Sequence, residues 1–529
     1  MRKLCAVLLL VAACGAPEER PQAAMSSAAD HGQDDATLVA TTEGAVRGSE
    51  TDSIRAFRGI PYAAPPVGNL RWKPPARPAV RNAVRDATTF ANHCPQVAGP
   101  FGQGSLTEDC LYLNVYTPRN GGDLKPVMVW IHGGALVSGE SNDYDATRLV
   151  TQGDVVAVTI NYRLGALGFL AHPALTAESP DHASGNYGLM DQAEALRWVQ
   201  RNIKAFGGDP SRVTIFGESA GGLSVHSQLA SPGSKGLFQR AIVESGAYQL
   251  TQPTLATAQT GGTAFASASG CTDQTAACLR ALPVTTVLAH QPAGIAGASP
   301  TIDGKFLTQS VITAFATGQF NRVPVLEGAN HDEWRLFVAI TADLVTGPTP
   351  PAAYGPSIAA TLQIPAALVP LFESQYPLAN YPSADLALGA LGTDGIFDCN
   401  ARFAEQKLSQ FVPTFAYQFN DPNAPERFLP PVSFPYASAH ASEIQYIFDL
   451  PVTVPAPAFT PGQVKLSEAM VNYWSSFARD GQPGSHGGPT WGQFTVLNDT
   501  DQALIVPQPR PETGFAADHK CAFWDAIRQ

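Results

Sequence analysis

The chain has 529 residues, of which 44% are hydrophobic, and its formal net charge is −12. This length and apolar content predict a globular protein with a large core and exclude an intrinsically disordered chain. Because the chain is acidic and has no basic stripe to meet phosphates, a general nucleic-acid-binding role is excluded as well.

The N-terminus has the pattern of an export signal. Two basic residues precede a short apolar segment, which is too short to span a bilayer as a stable helix and ends at Cys14. The small residues directly before Cys14 resemble the lipobox of bacterial lipoproteins. Residues 1–14 are therefore predicted to be a lipoprotein-type signal peptide, and Cys14 to carry a lipid anchor. The alternative is an ordinary signal peptide that is cleaved later, for example after Ala24.

Either signal predicts an exported protein, anchored in the bacterial cell envelope or secreted. Residues 15–37 are polar and rich in Ala, Pro and Asp, which predicts a flexible linker. The remaining residues, 38–529, are predicted to form one domain, and no segment within them is long and apolar enough for a transmembrane helix.

The predicted domain contains several short apolar segments and one longer amphipathic segment. Strand-like segments cover residues 112–116, 127–132, 155–161, 213–216, 241–243 and 323–326. Several of them, such as 127–132, are almost entirely apolar, which is typical of strands buried on both faces of a sheet. Apolar residues three or four positions apart from Leu189 to Phe206 predict a helix. This order predicts an α/β fold with a doubly wound, mostly parallel sheet. Residues 250–320 and 340–410 are mostly helical in composition, and we expect them as helical insertions over the active site.

The sequence VTIFGESAGG, residues 213–222, predicts a strand, a tight turn and the start of a helix. The turn contains the pattern G-x-S-x-G around Ser219, which presents a serine nucleophile on a sharp bend. Gly217 and Gly221 lack Cβ atoms and let the strand and the helix approach closely. In a chain with 47 glycines this pattern can arise by accident, so its surroundings decide its meaning.

A serine nucleophile needs a histidine base, and the base needs an orienting carboxylate. In α/β-hydrolases the chain order is serine, acid, histidine. Asp332 and Glu333 both follow the predicted strand 323–326, and the carboxyl end of a strand is the expected place for the acid. The spacing by itself does not separate these two residues.

Three histidines follow the candidate acids. His486 lies in a Gly-rich turn, where we expect it to be solvated, and His519 lies beside Cys521. His440 lies in a loop that leads into an apolar segment, which is where a positioned base is expected. The pattern therefore favours His440.

An oxyanion hole is the third requirement of this chemistry. The sequence His132-Gly133-Gly134-Ala135 follows a buried strand and matches the HGG-type loop that donates backbone N–H groups. A simple glycine turn is the alternative. The order of this loop upstream of the Ser219 motif, with a strand before each, favours the oxyanion loop.

Six segments of the domain form a specific set: FRGIPYAAPPVGNLRW (57–72), EDCLYLNVYTP (108–118), WIHGGALVSG (130–139), NYRLGALGF (161–169), GNYGLMDQAEALRWVQRNI (185–203) and FGGDPSRVTIFGESAGG (206–222). This set resembles the type-B carboxylesterase family, which includes cholinesterases and bacterial para-nitrobenzyl esterases. The resemblance runs from about Leu38 to the C-terminus. It implies an α/β-hydrolase fold and hydrolysis of small-molecule carboxylic esters through an acyl-enzyme, with no metal or cofactor.

The resemblance also implies the roles of individual residues. Glu333 corresponds to the acid and His440 to the base of a triad with Ser219. The oxyanion donors correspond to the N–H groups of three further residues: Gly134, Ala135 and Ala220. This chain has Gly-Gly-Ala where the family often has three glycines, and that variant keeps an N–H donor.

Six cysteines lie outside the N-terminal segment, and six cysteines allow fifteen pairings. The resemblance implies the pairs Cys94–Cys110, Cys271–Cys278 and Cys399–Cys521. Cholinesterases share a Trp between the first two paired cysteines, which binds choline through its ring face. The segment between Cys94 and Cys110 contains no Trp, so a choline-ester specialist is not expected.

Two other readings are open from the sequence. Some relatives of this fold are non-catalytic binding or adhesion proteins, but these typically lack the nucleophile, whereas Ser219, Glu333 and His440 are all present here. Hydrolysis of amides, thioesters or polyesters uses the same triad chemistry, and only the shape of the pocket separates these substrates from simple esters.

Overall fold

The computed structural model describes residues 35–292, 297–485 and 490–528. The predicted signal peptide, Cys14, most of the predicted linker and His486 lie outside the described residues. The described residues from Thr37 onward form one structural unit.

The described residues form two sheets. Their strands are β1 Leu38–Thr41, β2 Gly44–Arg47, β3 Ser49–Glu50, β4 Ile54–Pro61, β5 Arg85–Asp86, β6 Tyr112–Pro118, β7 Lys125–Ile131, β8 Val156–Ile160, β9 Gly208–Glu218, β10 Arg240–Glu244, β11 Val325–Asn330, β12 Thr414–Phe419, β13 Asp501–Leu504 and β14 Arg510–Glu512. The larger sheet has 11 strands in the order β14-β13-β12-β11-β10-β9-β7-β8-β6-β4-β3, and β1, β2 and β5 form the small one.

The α-helices of the described residues are α1 Thr147–Gly153, α2 Gly165–Phe169, α3 Pro173–Glu178, α4 Tyr187–Asn202, α5 Ala220–Ala230, α6 Leu255–Ala268, α7 Ala276–Ala281, α8 Val284–His290, α9 Val311–Thr317, α10 Trp334–Val338, α11 Leu344–Thr346, α12 Tyr354–Leu362, α13 Val369–Gln375, α14 Ala384–Gly392, α15 Cys399–Leu408, α16 Pro461–Asp480, α17 Phe515–Asp518 and α18 Cys521–Arg528.

The larger sheet is parallel at its centre. Strands β8, β7, β9, β10, β11, β12 and β13 pair in parallel, one after the next. Strands β3, β4 and β6 at one edge and β14 at the other pair antiparallel. The predicted α/β fold with a mostly parallel sheet is confirmed.

The two faces of the sheet carry different helices. Along β7, Val127, Val129 and Ile131 belong to a core cluster with residues of α4 and α5. Met128 and Trp130, which point to the other face, belong to a cluster with residues of α1 and α16. This alternation explains why the segment reads as continuously apolar, since both faces of a central strand are covered.

Local sequence signals set the ends of two long helices. The segment predicted as a helix at 189–206 forms α4 and a short 3₁₀ turn, Ile203–Phe206, which ends where Gly207 adopts a φ of 90°. The start of the long helix α16 is fixed by a capping box between Thr460 and Gln463. Gly481 ends α16 in the left-handed conformation.

The segments expected as helical insertions are helical. Residues 250–320 contain α6 to α9, and residues 340–410 contain α11 to α15. Side chains of α10 and α12 to α15 share a separate core cluster with Trp524 of α18. The insertion at 340–410 therefore has an apolar core of its own, whereas α9 of the insertion at 250–320 belongs to the core of the sheet.

Three disulfides join the pairs that the resemblance implied: Cys94–Cys110, Cys271–Cys278 and Cys399–Cys521. Such bonds are typical of exported proteins, because reducing compartments keep thiols free. Among the described residues no single helix is long and apolar enough to cross a membrane. Two helical segments, Pro351–Leu362 and Ala366–Asn380, are bent by 114° relative to each other and together fit a membrane span by length and composition only.

Candidate active site

Ser219 lies between the end of β9 and the start of α5. Its backbone has φ 56° and ψ −120°, which is a strained conformation for a residue with a side chain. The Ser219 N–H donates to the carbonyl of Glu244 at 2.8 Å, which holds the turn against β10. A Cβ atom at Gly221 would lie 1.9 Å from the carbonyl oxygen of Ile131, so only glycine allows this approach of helix and strand.

The loop after β7 turns sharply through two residues with left-handed backbone conformation. Gly134 and Ala135 have positive φ values of 96° and 54°, and the carbonyl of Gly134 accepts from the N–H groups of Val137 and Ser138. In the part of the chain that the structure describes, the N–H groups of Gly134 and Ala135 have no acceptor. Ala220 is the first residue of α5, where an N–H group has no partner within the helix.

Gln96 holds the far end of this loop. Its side-chain oxygen accepts from the Gly139 N–H at 2.7 Å, and its side-chain nitrogen donates to the Gly139 carbonyl at 3.1 Å. At the near end, the Tyr162 hydroxyl donates to the His132 carbonyl at 2.7 Å. The loop is therefore fixed on both sides before any ligand arrives.

His440 and Glu333 form a buried pair. His440 Nδ1 lies 2.5 Å from Glu333 Oε2, and the exposed fractions of the two residues are 6% and 0%. Glu333 Oε1 accepts from the Ser245 hydroxyl at 2.5 Å and from the Asn330 N–H at 2.7 Å. Each carboxylate oxygen is thus engaged, and the imidazole is oriented with Nε2 as its free nitrogen.

The alternatives left open by the sequence lie elsewhere. Asp332 accepts from Arg335 at 2.6 Å and contacts His331, so its carboxylate does not face His440. His519 lies between Asp394 and Asp398, at 2.7 and 3.0 Å, and is absent from the pocket that contains Ser219. The geometry therefore brings Glu333 to His440 and leaves Asp332 and His519 apart from it.

Ser219 and His440 line one pocket but are not hydrogen-bonded to each other. His440 Nε2 has no hydrogen-bond partner among the described residues. It lies 3.1 Å from Glu218 Oε1, outside hydrogen-bonding geometry. A catalytic hydrogen bond such as one between Ser219 and His440 commonly forms with good geometry only when substrate is bound.

Buried carboxylates surround the imidazole and control its charge. Burial lowers the pKa of His440, but the nearby carboxylates of Glu218 and Glu333 outweigh this effect and raise it to about 9. Burial also raises the pKa of Glu218 well above its usual range. Burial and the charge of Glu443 raise the pKa of Glu244 to about 8, and burial with the charge of Glu333 raises that of Glu443 to about 7.

The pocket above Ser219 has a volume of about 500 Å³. Its walls come from residues 99–103, 133–144, 334–341 and 425–453. The insertion at 250–320 contributes none of the described lining residues, and the one at 340–410 contributes only Ile340 and Thr341. Most of the described pocket wall therefore comes from segments outside these insertions, although the Phe397 ring of the second insertion lies 4.9 Å from the His440 ring, centroid to centroid.

Sequence reasoning missed several residues that shape this site. Ser245 follows β10 directly and has a φ of 51°. A polar residue at the carboxyl end of a predicted strand is the sequence signal that could have identified it as a site residue. Glu218 is adjacent to Ser219, but nothing in the pattern shows that its carboxylate reaches His440. Gln96 gave no signal, because its contact with Gly139 spans 43 residues.

A carboxylesterase family model matches residues 35–524 of the chain. Acylcarnitine hydrolase of Mus musculus is 35% identical over 498 residues, which cover 89% of this chain and 86% of the relative. Cocaine esterase of Homo sapiens is 34% identical over 529 residues, covering 93% and 92%. Para-nitrobenzyl esterase of Bacillus subtilis is 35% identical over 490 residues, covering 89% and 94%.

The family model covers the serine turn, the glycine loop and the segments that line the pocket between them. The resemblance stated from the sequence is confirmed. The chain belongs to the carboxylesterase family and is a carboxylic ester hydrolase.

Proposed function

We propose that Ser219, His440 and Glu333 form the catalytic triad of this hydrolase. His440 Nε2 takes the hydroxyl proton of Ser219 as the Ser219 oxygen attacks the ester carbonyl carbon. Glu333 holds the imidazole through Nδ1 and stabilises the imidazolium that forms. The N–H groups of Gly134, Ala135 and Ala220 donate to the oxyanion of the tetrahedral intermediate.

The acyl-enzyme follows when this intermediate collapses. The bond from the carbonyl carbon to the alcohol oxygen breaks, and the alcohol leaves with the proton that His440 donates. A water molecule then gives a proton to His440 and attacks the acyl carbon. Collapse of the second intermediate returns the proton to Ser219 and releases the carboxylic acid, and every step uses only groups of the chain and water.

The observation that carries this proposal is the 2.5 Å contact between His440 Nδ1 and Glu333 Oε2 in the pocket that contains Ser219. It leaves Nε2 as the only nitrogen of His440 that is able to act as the base. The strained φ of 56° at Ser219 supports the same assignment, since such strain persists where function requires it.

The test compares the wild-type protein with Ser219→Ala on p-nitrophenyl acetate, butyrate and octanoate. We expect kcat to fall by about 10⁴- to 10⁶-fold in the variant, because triad members act as a unit. Electrospray mass spectra of quenched reactions are expected to show an acyl adduct on the wild-type protein only. Undiminished turnover by Ser219→Ala would overturn the triad, and the ranking of the three acyl chains measures the acyl space of the pocket.

We also propose that residues 1–14 are a lipoprotein-type signal peptide, that residues 15–37 are a linker and that Cys14 carries a lipid anchor. The three disulfides support export, and the small residues before Cys14 support lipidation. Metabolic labelling with an alkyne fatty acid is expected to mark the wild-type protein and not Cys14→Ser. Equal labelling of both would reject the anchor, and labelling of neither would favour the later cleavage after Ala24.

A further inference from the structure

The disulfide loop, residues 94–110, contacts the glycine loop, residues 132–139, through the side-chain amide of Gln96. Gln96 Oε1 accepts from the Gly139 N–H at 2.7 Å, and Gln96 Nε2 donates to the Gly139 carbonyl at 3.1 Å. In the part of the chain that the structure describes, the Gly139 backbone has no other hydrogen-bond partner. One side chain therefore holds both polar groups of this residue.

The Gln96 amide is enclosed and held in place. Gln96 is 1% exposed. Its N–H donates to the Ser105 carbonyl, and the Ser105 N–H donates to the Gln96 carbonyl, each at 3.0 Å. A Cβ atom at Gly102 would lie 2.7 Å from Gln96 Oε1, so the amide fits there only because residue 102 is a glycine. Gly102 also lines the pocket, so the contact with Gly139 lies directly behind the pocket wall.

The residue after Gly139 is held from the same side. Glu140 Oε2 lies 2.9 Å from His93 Nδ1, and Glu140 is 4% exposed. The other ring nitrogen of His93 lies 3.1 Å from the Gln103 carbonyl oxygen. Two consecutive residues at the end of the glycine loop are therefore tied to the disulfide loop and to the residue that precedes it.

The end of the glycine loop packs against its beginning. Gly139 has a φ of 104°, and a Cβ atom there would lie 2.5 Å from His132 Nδ1 and 2.7 Å from the Gly133 carbonyl oxygen. A Cβ atom at Gly134 would lie 2.2 Å from the Ser138 carbonyl oxygen. Because these backbones already touch, the loop has no free space to absorb a displacement of Gly139. Such a displacement therefore moves Gly133 and Gly134 as well.

We propose that Gln96 is a positioning residue of the oxyanion hole. Its side chain does not line the pocket that contains Ser219, but it holds Gly139 and thereby aims the N–H groups of Gly134 and Ala135. This inference rests on the proposed function, because it needs these N–H groups to be oxyanion donors. Donors that are fixed beforehand stabilise the transition state without reorganising, and a misplacement of about 1 Å costs up to about 10²-fold in rate.

The experiment removes the hydrogen bonds of Gln96 and keeps most of its volume. Gln96→Met has an unbranched side chain of similar length and no amide. Gln96→Asn keeps the amide but is one methylene shorter, too short to bond both groups of Gly139, and it is the second variant in case the first does not fold. Gln96→Glu is the conservative variant, because burial favours its neutral carboxyl group, which can accept from the N–H and donate to the carbonyl.

Three probes with the same heptyl chain separate the ground state from the transition state. They are the substrate p-nitrophenyl octanoate, heptyl methyl ketone as the ground-state analogue and heptyl trifluoromethyl ketone as the transition-state analogue. With the trifluoromethyl ketone, the Ser219 oxygen bonds to the ketone carbon, the hydroxyl proton passes to His440 and the ketone oxygen becomes an oxyanion. The measured quantities are kcat, KM and the inhibition constants of the two ketones.

In Gln96→Met and Gln96→Asn we expect kcat and kcat/KM to fall together by about 10- to 100-fold, with KM within about twofold of the wild-type value. The inhibition constant of the trifluoromethyl ketone should rise by the same factor, and that of the methyl ketone should not change. Gln96→Glu should stay within about fivefold of the wild type in each quantity. A loss of stability alone would not separate the two ketones in this way.

Gln252→Met is the matched control. Gln252 is also buried; its Oε1 accepts from the Val311 N–H at 2.8 Å and its Nε2 donates to the Gln249 carbonyl at 2.7 Å. It does not line the pocket. The substitution removes one accepted and one donated hydrogen bond with the backbone, as at Gln96. We expect its free energy of unfolding to fall, while kcat and both inhibition constants stay at their wild-type values.

Wild-type kcat and wild-type affinity for the trifluoromethyl ketone in a folded Gln96→Met or Gln96→Asn would overturn this inference and leave the proposed function intact. Equal weakening of both ketones would show that the pocket has changed shape, and would also overturn it. The same selective loss in Gln252→Met would do so as well. Undiminished turnover by Ser219→Ala would overturn the proposed function, and this inference with it.

Discussion

At His440 the imidazole contacts two carboxylates at once. Glu333 Oε2 lies 2.5 Å from Nδ1, and Glu218 Oε1 lies 3.1 Å from Nε2. The first contact orients the ring. The second lies beside the nitrogen that must accept a proton, so it stabilises the protonated ring and opposes the basic form.

A pH profile tests this arrangement. An unperturbed histidine would give an acid limb near pH ~6.5. Because the carboxylates raise the pKa of His440 to about 9, we expect the limb of kcat/KM for a neutral p-nitrophenyl ester to lie above 6.5. Burial raises the pKa of Glu218, but the charge of His440 lowers it, and the ionised carboxylate stabilises the imidazolium. Glu218→Gln removes this carboxylate, so the limb should move to lower pH.

The profile is measured by stopped-flow acylation, so that the chemical step is observed directly. Glu426→Gln is the control for the loss of a carboxylate from the pocket, because Glu426 accepts hydrogen bonds from backbone N–H groups and does not contact His440. An acid limb that does not move in Glu218→Gln would show that Glu218 carries no charge in the free enzyme.

Helix α6 contains two neighbouring glycines with different surroundings. Gly261 is exposed, and a Cβ atom there would meet nothing within 4 Å. Gly262 is buried, and a Cβ atom there would lie 1.8 Å from the carbonyl oxygen of Ala171. Gly261 therefore only lowers the stability of the helix, whereas Gly262 allows α6 to pack against the backbone just before α3.

We expect Gly261→Ala to stabilise the fold by about 0.5–1 kcal/mol, because alanine loses less backbone entropy in a helix. Gly262→Ala should destabilise it by about 1–3 kcal/mol, because α6 or the carbonyl of Ala171 must shift. Urea denaturation of the two single variants provides the measurement. Effects of the same sign would contradict the packing of α6.

For the whole molecule, two disulfides differ greatly in the length of chain that they close. Cys399 and Cys521 are 122 residues apart and join α15 to α18, whereas Cys271 and Cys278 are only 7 residues apart. The long loop includes β12, His440, α16 and β13. A bond that closes so much of the domain restricts the unfolded chain far more than a local one does.

On the chain-entropy model, removing Cys399–Cys521 costs about 4.9 kcal/mol and removing Cys271–Cys278 about 2.4 kcal/mol. Pairs of alanine substitutions at each bond, compared by urea denaturation under oxidising conditions, check the order of these losses. Equal losses would indicate that local strain or residual structure in the unfolded state outweighs loop length. Retention of p-nitrophenyl butyrate hydrolysis before denaturation confirms that each variant starts folded.

The sheet was largely predictable because its central strands are covered on both faces. Segments such as 127–132 and 155–161 are continuously apolar for that reason, and they form β7 and β8. The insertions were harder to place. Helical composition at 340–410 predicts helices, but it does not predict that they pack in one cluster with α10 and α18, since that depends on which apolar faces meet.

The sequence by itself determined the family, the parallel sheet and the two turns that follow β7 and β9. Those features depend on short-range requirements: glycines where backbones touch, a serine on a strained bend and apolar residues on both faces of a strand. The spacing of the sequence left Asp332 and Glu333 open and the family resemblance implied Glu333, but only the tertiary structure showed that Glu333 faces His440 and that Glu218 reaches the same ring. These facts depend on contacts between segments up to 222 positions apart, which lie close in space only because the sheet brings the ends of its strands together.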